Sequence, residues 1–289
     1  MGLQARLSDG LFRLVAGPDG VAVQQRIHGN PGPRLFERSA PISRVHSDVS
    51  MYIGGLRALM VQSLHPAPMR AVHEHSGFRG DMWGRLARTS TFIATTTFGA
   101  KEDVEATVAT VRRIHDHVNG VLPDGTPYSA SDPHLLAWVH IAEIDSFLAA
   151  HQVFGRRPLS DSEIDDYVAQ TGVIARMLGV MDPPSSYAEL QAELQRFQPE
   201  LRGTPEAVAA ISHVRLRPPL TPVARPGYQI LWTAAIGLLT DWQREQLRLS
   251  KVSPAVSKVA GRTATTALRW VSAPSQRRAR EIELAARRG

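Results

Sequence analysis

Two stretches of this sequence carry side chains able to do chemistry. The first is YSASDPHLLAWVHIAEIDSFLAAHQVFG, residues 128–155. Within it Leu136, His140, Ile144, Phe147 and His151 recur at helical spacing, which puts an imidazole in the middle of an apolar stripe. A neutral imidazole in apolar surroundings is the usual protein ligand for haem iron or another transition metal. A core histidine hydrogen-bonded to a carbonyl or carboxylate gives the same pattern, so the stripe leaves both readings open.

The second stretch is DMWGRLARTSTFIATTTF, residues 81–98, in which Arg85, Arg88, Thr89, Phe92 and Thr96 share one side of a helix. Arginines among threonines and a phenylalanine make neither a plain core nor a plain solvent face. A buried guanidinium left unpaired costs several kcal/mol, so it needs an anion or several acceptors. A bound carboxylate, a haem propionate or a polarised oxygen species would serve, and so would an Asp or Glu from a neighbouring helix. The remaining histidines are less promising. His73 and His75, near Arg70 and Arg79, are two residues apart, as are His115 and His117, and this spacing cannot present both rings to one metal from a regular helix. His115 is expected to pack and His117 to face water, while 66–80 reads as a connection or helix end.

The elements that must position these groups are helices. Asp132 as cap, Pro133 at the first position and Gly155 as stop bound the first stretch, and Gly99 stops the second. An apolar segment from Val45 to Leu64 carries Gly54-Gly55, which would admit a close neighbour, either a packed helix or a flat ligand. A third helix covers 101–119, and Ser160 with Glu163 forms a capping box for Asp161 to Leu178. Further helices are expected at 186–197, from Thr204-Pro205, and at Tyr228 to Leu239, with a basic last helix from Asp241. Residues 1–40, rich in Gly, Pro and Arg, are expected to wrap over the surface as an N-terminal arm. No run alternates as a strand would, and there is no repeat. The fold class is all-α, a single domain of about nine helices with a buried pocket between core helices. The expected divisions are 1–40, a helical domain at 41–245, and a basic tail at 246–289.

Composition narrows the chemistry. The 289 residues hold ample material for a core, and 43% are hydrophobic and 21% charged, as in ordinary globular proteins. Cysteine is absent, which excludes disulfides, thiolate nucleophiles, zinc–thiolate sites and thiolate-ligated haem. The net charge of +6 is concentrated at one end, because residues 244–289 hold 11 Lys or Arg against 3 Glu and the rest is slightly acidic. The expectation is therefore no nucleic-acid partner, and a solvated tail able at most to make weak contact with a membrane surface. Without an apolar leader, with Arg6 against a myristoylation pattern, and with no run long enough to span a bilayer, the expected location is the cytoplasm. There is no phosphate-binding glycine loop, GxGxxG, GxSxG or HExxH. Di-iron bundles use paired Glu-x-x-His motifs, whereas this chain has only the reversed His140-x-x-Glu143. Histidine-bound iron is the strongest chemistry left.

Four blocks, GGLRALMVQSLHP (54–66), RLARTSTFIATTTFG (85–99), HDHVNG (115–120) and DPHLLAWVHIAEIDSFLAAHQVFG (132–155), resemble the MpaB-like and latex-clearing (rubber) oxygenase catalytic-domain family, over about residues 40–245. The resemblance implies an all-helical protein that binds haem b and uses dioxygen on a hydrophobic, isoprenoid- or lipid-like double bond. It makes His140 the proximal iron ligand, with Leu136, Ile144 and Phe92 beside the cofactor. The family's distal RxxKT pattern falls on Arg85, Arg88 and Thr89, where Arg88 replaces a lysine. A guanidinium stays protonated and is a poor metal ligand. Glu143 or Asp145, on the same helix as His140, could supply a base, although outward-facing or structural roles are expected of both. A non-catalytic haem carrier or sensor, and an iron-free lipid- or partner-binding member of the fold, are the alternatives.

Overall fold

Proline, glycine and capping side chains cut the chain into helices joined by short connections. The structure, a computed structural model, describes residues 2–75, 82–218 and 220–286. Arg79 and Asp81, and the side chain of His75, lie outside the described residues.

In order, the elements are α1 (Leu3–Ala16), α2 (Gly20–Gly29), α3 (Pro41–His46), α4 (Met51–Gln62), α5 (Pro66–His75), α6 (Met82–Phe98) and α7 (Lys101–His115). A small hairpin follows, β1 (Asn119–Val121) antiparallel to β2 (Pro127–Ser129), with Gly120 opposite Tyr128. Then come α8 (Pro133–Phe154), α9 (Asp161–Leu178), α10 (Tyr187–Phe197), a 3-10 turn (Gln198–Glu200), α11 (Pro205–Leu216), α12 (Arg225–Gly237), α13 (Asp241–Gln246) and α14 (Pro254–Ala286). The all-α fold holds, with fourteen α-helices among the described residues rather than about nine. The prolines and glycines break segments that hydropathy alone would run together.

Helix α8 is the axis of the core. Asp132 accepts a hydrogen bond from the His134 amide, Pro133 fills the first turn, and Gly155 ends the helix as expected. Its two ends sit against different partners, but its longest packing is along α4. Trp138, Ile141, Ile144, Phe147 and Leu148 are all buried there. Each such side chain contributes roughly 1.5–3 kcal/mol when taken from water. Gly54 is what lets the two helices approach. A Cβ on it would sit 3.1 Å from the Phe147 Cα and 3.2 Å from the Ser146 carbonyl oxygen. Close helix packing therefore explains Gly54, whereas Gly55 faces open space with nothing within 4 Å of its would-be Cβ. The same seam holds an ion pair. Arg57 donates to Asp145 at 2.7 Å, to the Ser146 hydroxyl at 2.8 Å and to the Leu238 carbonyl at 3.1 Å.

Three regions differ from the reading of the sequence. Residues 1–40 are largely two helices packed on α14 and α6 rather than a surface wrap. Their Gly and Arg content hides an apolar face, and Gly17, with φ of +78°, turns the chain between them. Residues 66–75 form α5 rather than a connection, since the His65 Nδ1 accepts the Ala67 amide and caps its start. The C-terminal tail is not a solvated end. Small residues Ser257, Gly261 and Ala264 let α14 lie against α12 and α8, and a Cβ on Gly261 would overlap the Phe154 ring at 2.1 Å. Its arginines answer the slight acidity of the body, with Arg278 on Asp9 at 3.3 Å and Arg269 on Asp48 at 3.6 Å. No helix among the described residues is long and apolar enough to cross a membrane.

Candidate functional site

His140 sits midway along α8, on the side turned to α9. Burial lowers its pKa to about 4, with the Arg176 guanidinium of α9 a smaller cause. Its Nε2 is buried and has no hydrogen-bond partner. Buried polar atoms are paired in the great majority of cases, so an orphaned ring nitrogen calls for an explanation. One turn on, burial alone raises the Glu143 carboxyl to about 7. Both side chains feel the desolvation of groups deep in the protein, although neither residue is fully buried.

The stripe's second histidine is different. His151 is 1% exposed, and Gly155 closes over its ring, where a Cβ would lie 2.9 Å from Nε2. Its Nδ1 is also unpartnered, and the ring lines a hollow of about 410 Å³ whose walls carry Arg44, Arg156, Arg157, Arg269 and Arg280. Leu136 packs on Ala175 and Val180, and Ile144 belongs to the main core. Asp145 is structural, as expected, held by Arg57 and by Gln191 at 3.2 Å. Glu143 is desolvated by burial rather than turned outward to water.

On α6 the expected stripe divides. Arg85 is half-buried, and Arg88 and Thr89 are exposed. Burial, and then the neighbouring Arg88 guanidinium, pull the Arg85 pKa down, and neither cause is an anionic partner. Phe92 packs on the cluster of Val104, Val108 and Ile174, bringing this face of α6 to α7 and α9. Thr96 turns its hydroxyl back to the Phe92 carbonyl at 2.9 Å. Helix α9 is thus the common neighbour, with Ile174 in the cluster that Phe92 packs on and the Arg176 charge felt by His140.

A polar chain that sequence alone did not reveal joins the surrounding helices. His46 meets the Thr97 hydroxyl at 2.8 Å through Nδ1 and lies 3.5 Å from the Tyr167 hydroxyl through Nε2. Burial lowers the His46 pKa to about 3 and drives the Tyr167 pKa well up, with Glu143 adding to the latter. Thr97, His46 and Tyr167 thereby connect α6, α3 and α9, and the charge of Glu143 on α8 is felt at Tyr167.

A second constellation that the sequence did not reveal lies at the start of α8. His65 Nε2 is 3.2 Å from Glu200 Oε2, and His134 Nε2 is 2.9 Å from both Glu200 oxygens. These are metal-ligand residue types in reach of one another. Because His65 Nδ1 accepts the Ala67 amide, its Nε2 carries the proton and donates to Glu200. The three residues come from positions far apart in the chain, so no spacing could have announced them. His115 is half-buried and His117 exposed, as expected.

Comparison with known proteins adds one finding. A family model described as "ER-bound oxygenase mpaB/B'/Rubber oxygenase, catalytic domain" matches residues 43–270. No curated protein and no solved structure matches the chain. The matched region begins within α3 and runs past residue 245 into α14, so it covers every helix around His140. This chain belongs to the mpaB/rubber oxygenase catalytic-domain family.

Proposed function

We propose that the protein is a haem b-dependent oxygenase that uses dioxygen on a hydrophobic, unsaturated small molecule of isoprenoid or lipid type. The observation that carries this reading is the buried, unpartnered Nε2 of His140. A group bound there would complete the one polar atom that the protein leaves unsatisfied in the middle of its central helix, so the residues present fit a haem. Haem iron supplies the dioxygen chemistry that no side chain of this chain can perform.

The side chains have separable parts. His140 would hold the iron through Nε2, and burial keeps the ring neutral, with its lone pair available, down to about pH 4. Arg85, Arg88 and Thr89 would act as the catalytic donors, hydrogen-bonding to negative charge that develops on oxygen. Arg88 stays protonated, so it serves as a charge and a donor where a lysine could approach the metal. Leu136, Ile144 and Phe92 would form apolar walls that exclude water. Glu143 holds its carboxyl proton up to about pH 7 and can release or recover it at a carboxyl oxygen.

An absorption spectrum of purified protein, with and without added haem, tests the assignment. A Soret band is expected, lost in His140→Ala and kept in Arg88→Ala, whose reactivity with dioxygen should change. A wild-type protein that takes up no haem sinks the reading. The Arg88 substitution favours, as a second reading, a haem carrier or sensor without turnover. Oxidation of any alkene substrate at the expense of dioxygen separates the two.

A further inference from the structure

The back of α6 carries a cavity. It has a volume of about 210 Å³ and lies between α1, α2, α4, α6 and α14. Its walls are Leu11, Phe12 and Val15 of α1, Val23 of α2 and Ala94 of α6. Ser90, Thr91 and Ala94 fall on the side of α6 opposite Arg85, Thr89 and Phe92, as their spacing in a helix requires. Much of the cavity is built from chain outside the family match, since α1, α2 and the Ser272–Ser275 turn of α14 all lie beyond residues 43–270.

What sets this cavity apart is the buried polar side chains in its lining. Ser8 is 2%, Gln24 9% and Ser272 8% exposed. All three line the cavity. Ser8 Oγ and Gln24 Oε1 are buried without a hydrogen-bond partner, although the Gln24 amide nitrogen donates to the Ser275 carbonyl at 3.2 Å. Ser272 Oγ lies against the Tyr52 hydroxyl without completing a well-formed hydrogen bond. His28, also in the lining, has an unpartnered Nδ1. Orphaned atoms gathered in one otherwise apolar hollow need a partner that the protein does not provide.

We propose that this cavity is a binding site for a neutral aliphatic alcohol, independent of the haem assignment. The lining holds no carboxylate, lysine or arginine, so nothing there balances a ligand charge. A hydroxyl is the group that answers both kinds of orphan, donating to Gln24 Oε1 and accepting from the Ser8 hydroxyl. A ketone would leave Gln24 unanswered, and a hydrocarbon would leave both. Size follows from volume. A dry cavity of about 150 Å³ takes benzene, so 210 Å³ suits a molecule of roughly eight to nine non-hydrogen atoms.

Titration calorimetry with n-octanol tests the site on the intact chain, with and without haem. Binding is expected in both forms and in His140→Ala, at least tenfold weaker for the matching ketone, and absent for octanoate at pH 7. Ala94→Phe should fill the hollow and abolish binding while the helical circular dichroism stays unchanged. If that variant fails to fold, Val23→Phe on α2 fills the same space from the other wall. Ser8→Ala with Gln24→Leu should keep a residual affinity and erase the preference for alcohol over ketone. Octanoate binding as tightly as octanol, alcohol binding that survives both filling variants, or a cavity that takes up only water and no alcohol each overturns the proposal.

Discussion

The two histidines His134 and His140 lie on one helix, less than two turns apart, and meet opposite conditions. His134 is half exposed, stacks on Phe197 with ring centroids 4.5 Å apart, and spends its Nε2 on Glu200. His65 completes the cluster through the same carboxylate. His140, enclosed by α8 and α9, has an Nε2 with no partner at all. At the start of α8 the fold satisfies its imidazoles internally, which locks α5, α8 and the 3-10 turn together. In the middle it leaves one unsatisfied at an energetic cost. The difference separates a histidine whose ring nitrogens are satisfied by the fold from one whose Nε2 is not.

The largest expected effect breaks that comparison outright. His140→Ala should remove the haem spectrum entirely, and His134→Ala should leave it intact. Reconstitution of both variants with haem, followed in the Soret region, is the measurement. Loss of the spectrum from His134→Ala alone would mean that the saturated cluster, and not the orphaned ring, is the site.

The sequence showed part of this. The span of α8 was legible because Asp132, Pro133 and Gly155 act locally, and His140 stood out because its neighbours at helical spacing are apolar. The capping box at Ser160 was legible for the same reason, and it forms. Saturation was not legible, since whether a ring nitrogen finds a partner depends on residues such as Glu200 that approach only in the folded chain. Glu143 was misjudged for a related reason. A charged residue on a helix is outward by default, and only the packing of other helices around α8 desolvates it. The N-terminal helices were hidden because glycine and arginine suggest a surface coil, while their apolar faces need α14 from the far end of the sequence before they can be buried.

The next effect sharpens the contrast through pH. Glu143 has a folded pKa raised from 4.5 to about 7, so its contribution to stability is complete below pH 4.5 and is lost as pH rises through 7. His140 and His46 have the opposite sign, with pKa values lowered to about 4 and about 3. Their contribution is present above pH 6.5 and is lost as pH falls toward those values. Replacing Glu143 by Gln should therefore stabilise the haem-free protein by about 3 kcal/mol at pH 8, given roughly 1.4 kcal/mol per pKa unit, with the gain vanishing near pH 4.5. Urea melts of both proteins at several pH values would measure it, and a gain that grows toward acid would refute the desolvation of Glu143.

At the saturated end the effect should be smaller. Glu200→Ala removes the acceptor shared by His65 and His134, but His134 and Glu200 are exposed enough for water to replace much of what is lost. Destabilisation of about 1–2 kcal/mol is expected, most of it from the buried His65 N–H, with no change in the haem spectrum. Chemical denaturation and the same spectra check both parts.

The smallest expected effect concerns metal at that cluster. His65, His134 and Glu200 are residue types that bind zinc, and their ligand atoms all fall within 4.8 Å of one another. The tautomer of His65 opposes binding. Its Nδ1 accepts the Ala67 amide, so Nε2 bears the proton. A metal at Nε2 would displace that proton to Nδ1, where an N–H would then face another N–H at the start of α5 and cost the cap. Zinc added to the metal-free protein should accordingly shift the melting temperature no more than it shifts that of His134→Ala. A rise of several degrees that disappears in His134→Ala would show that the helix start yields to the metal, and that the cluster at the head of α8 is as open to a ligand as the ring in its middle.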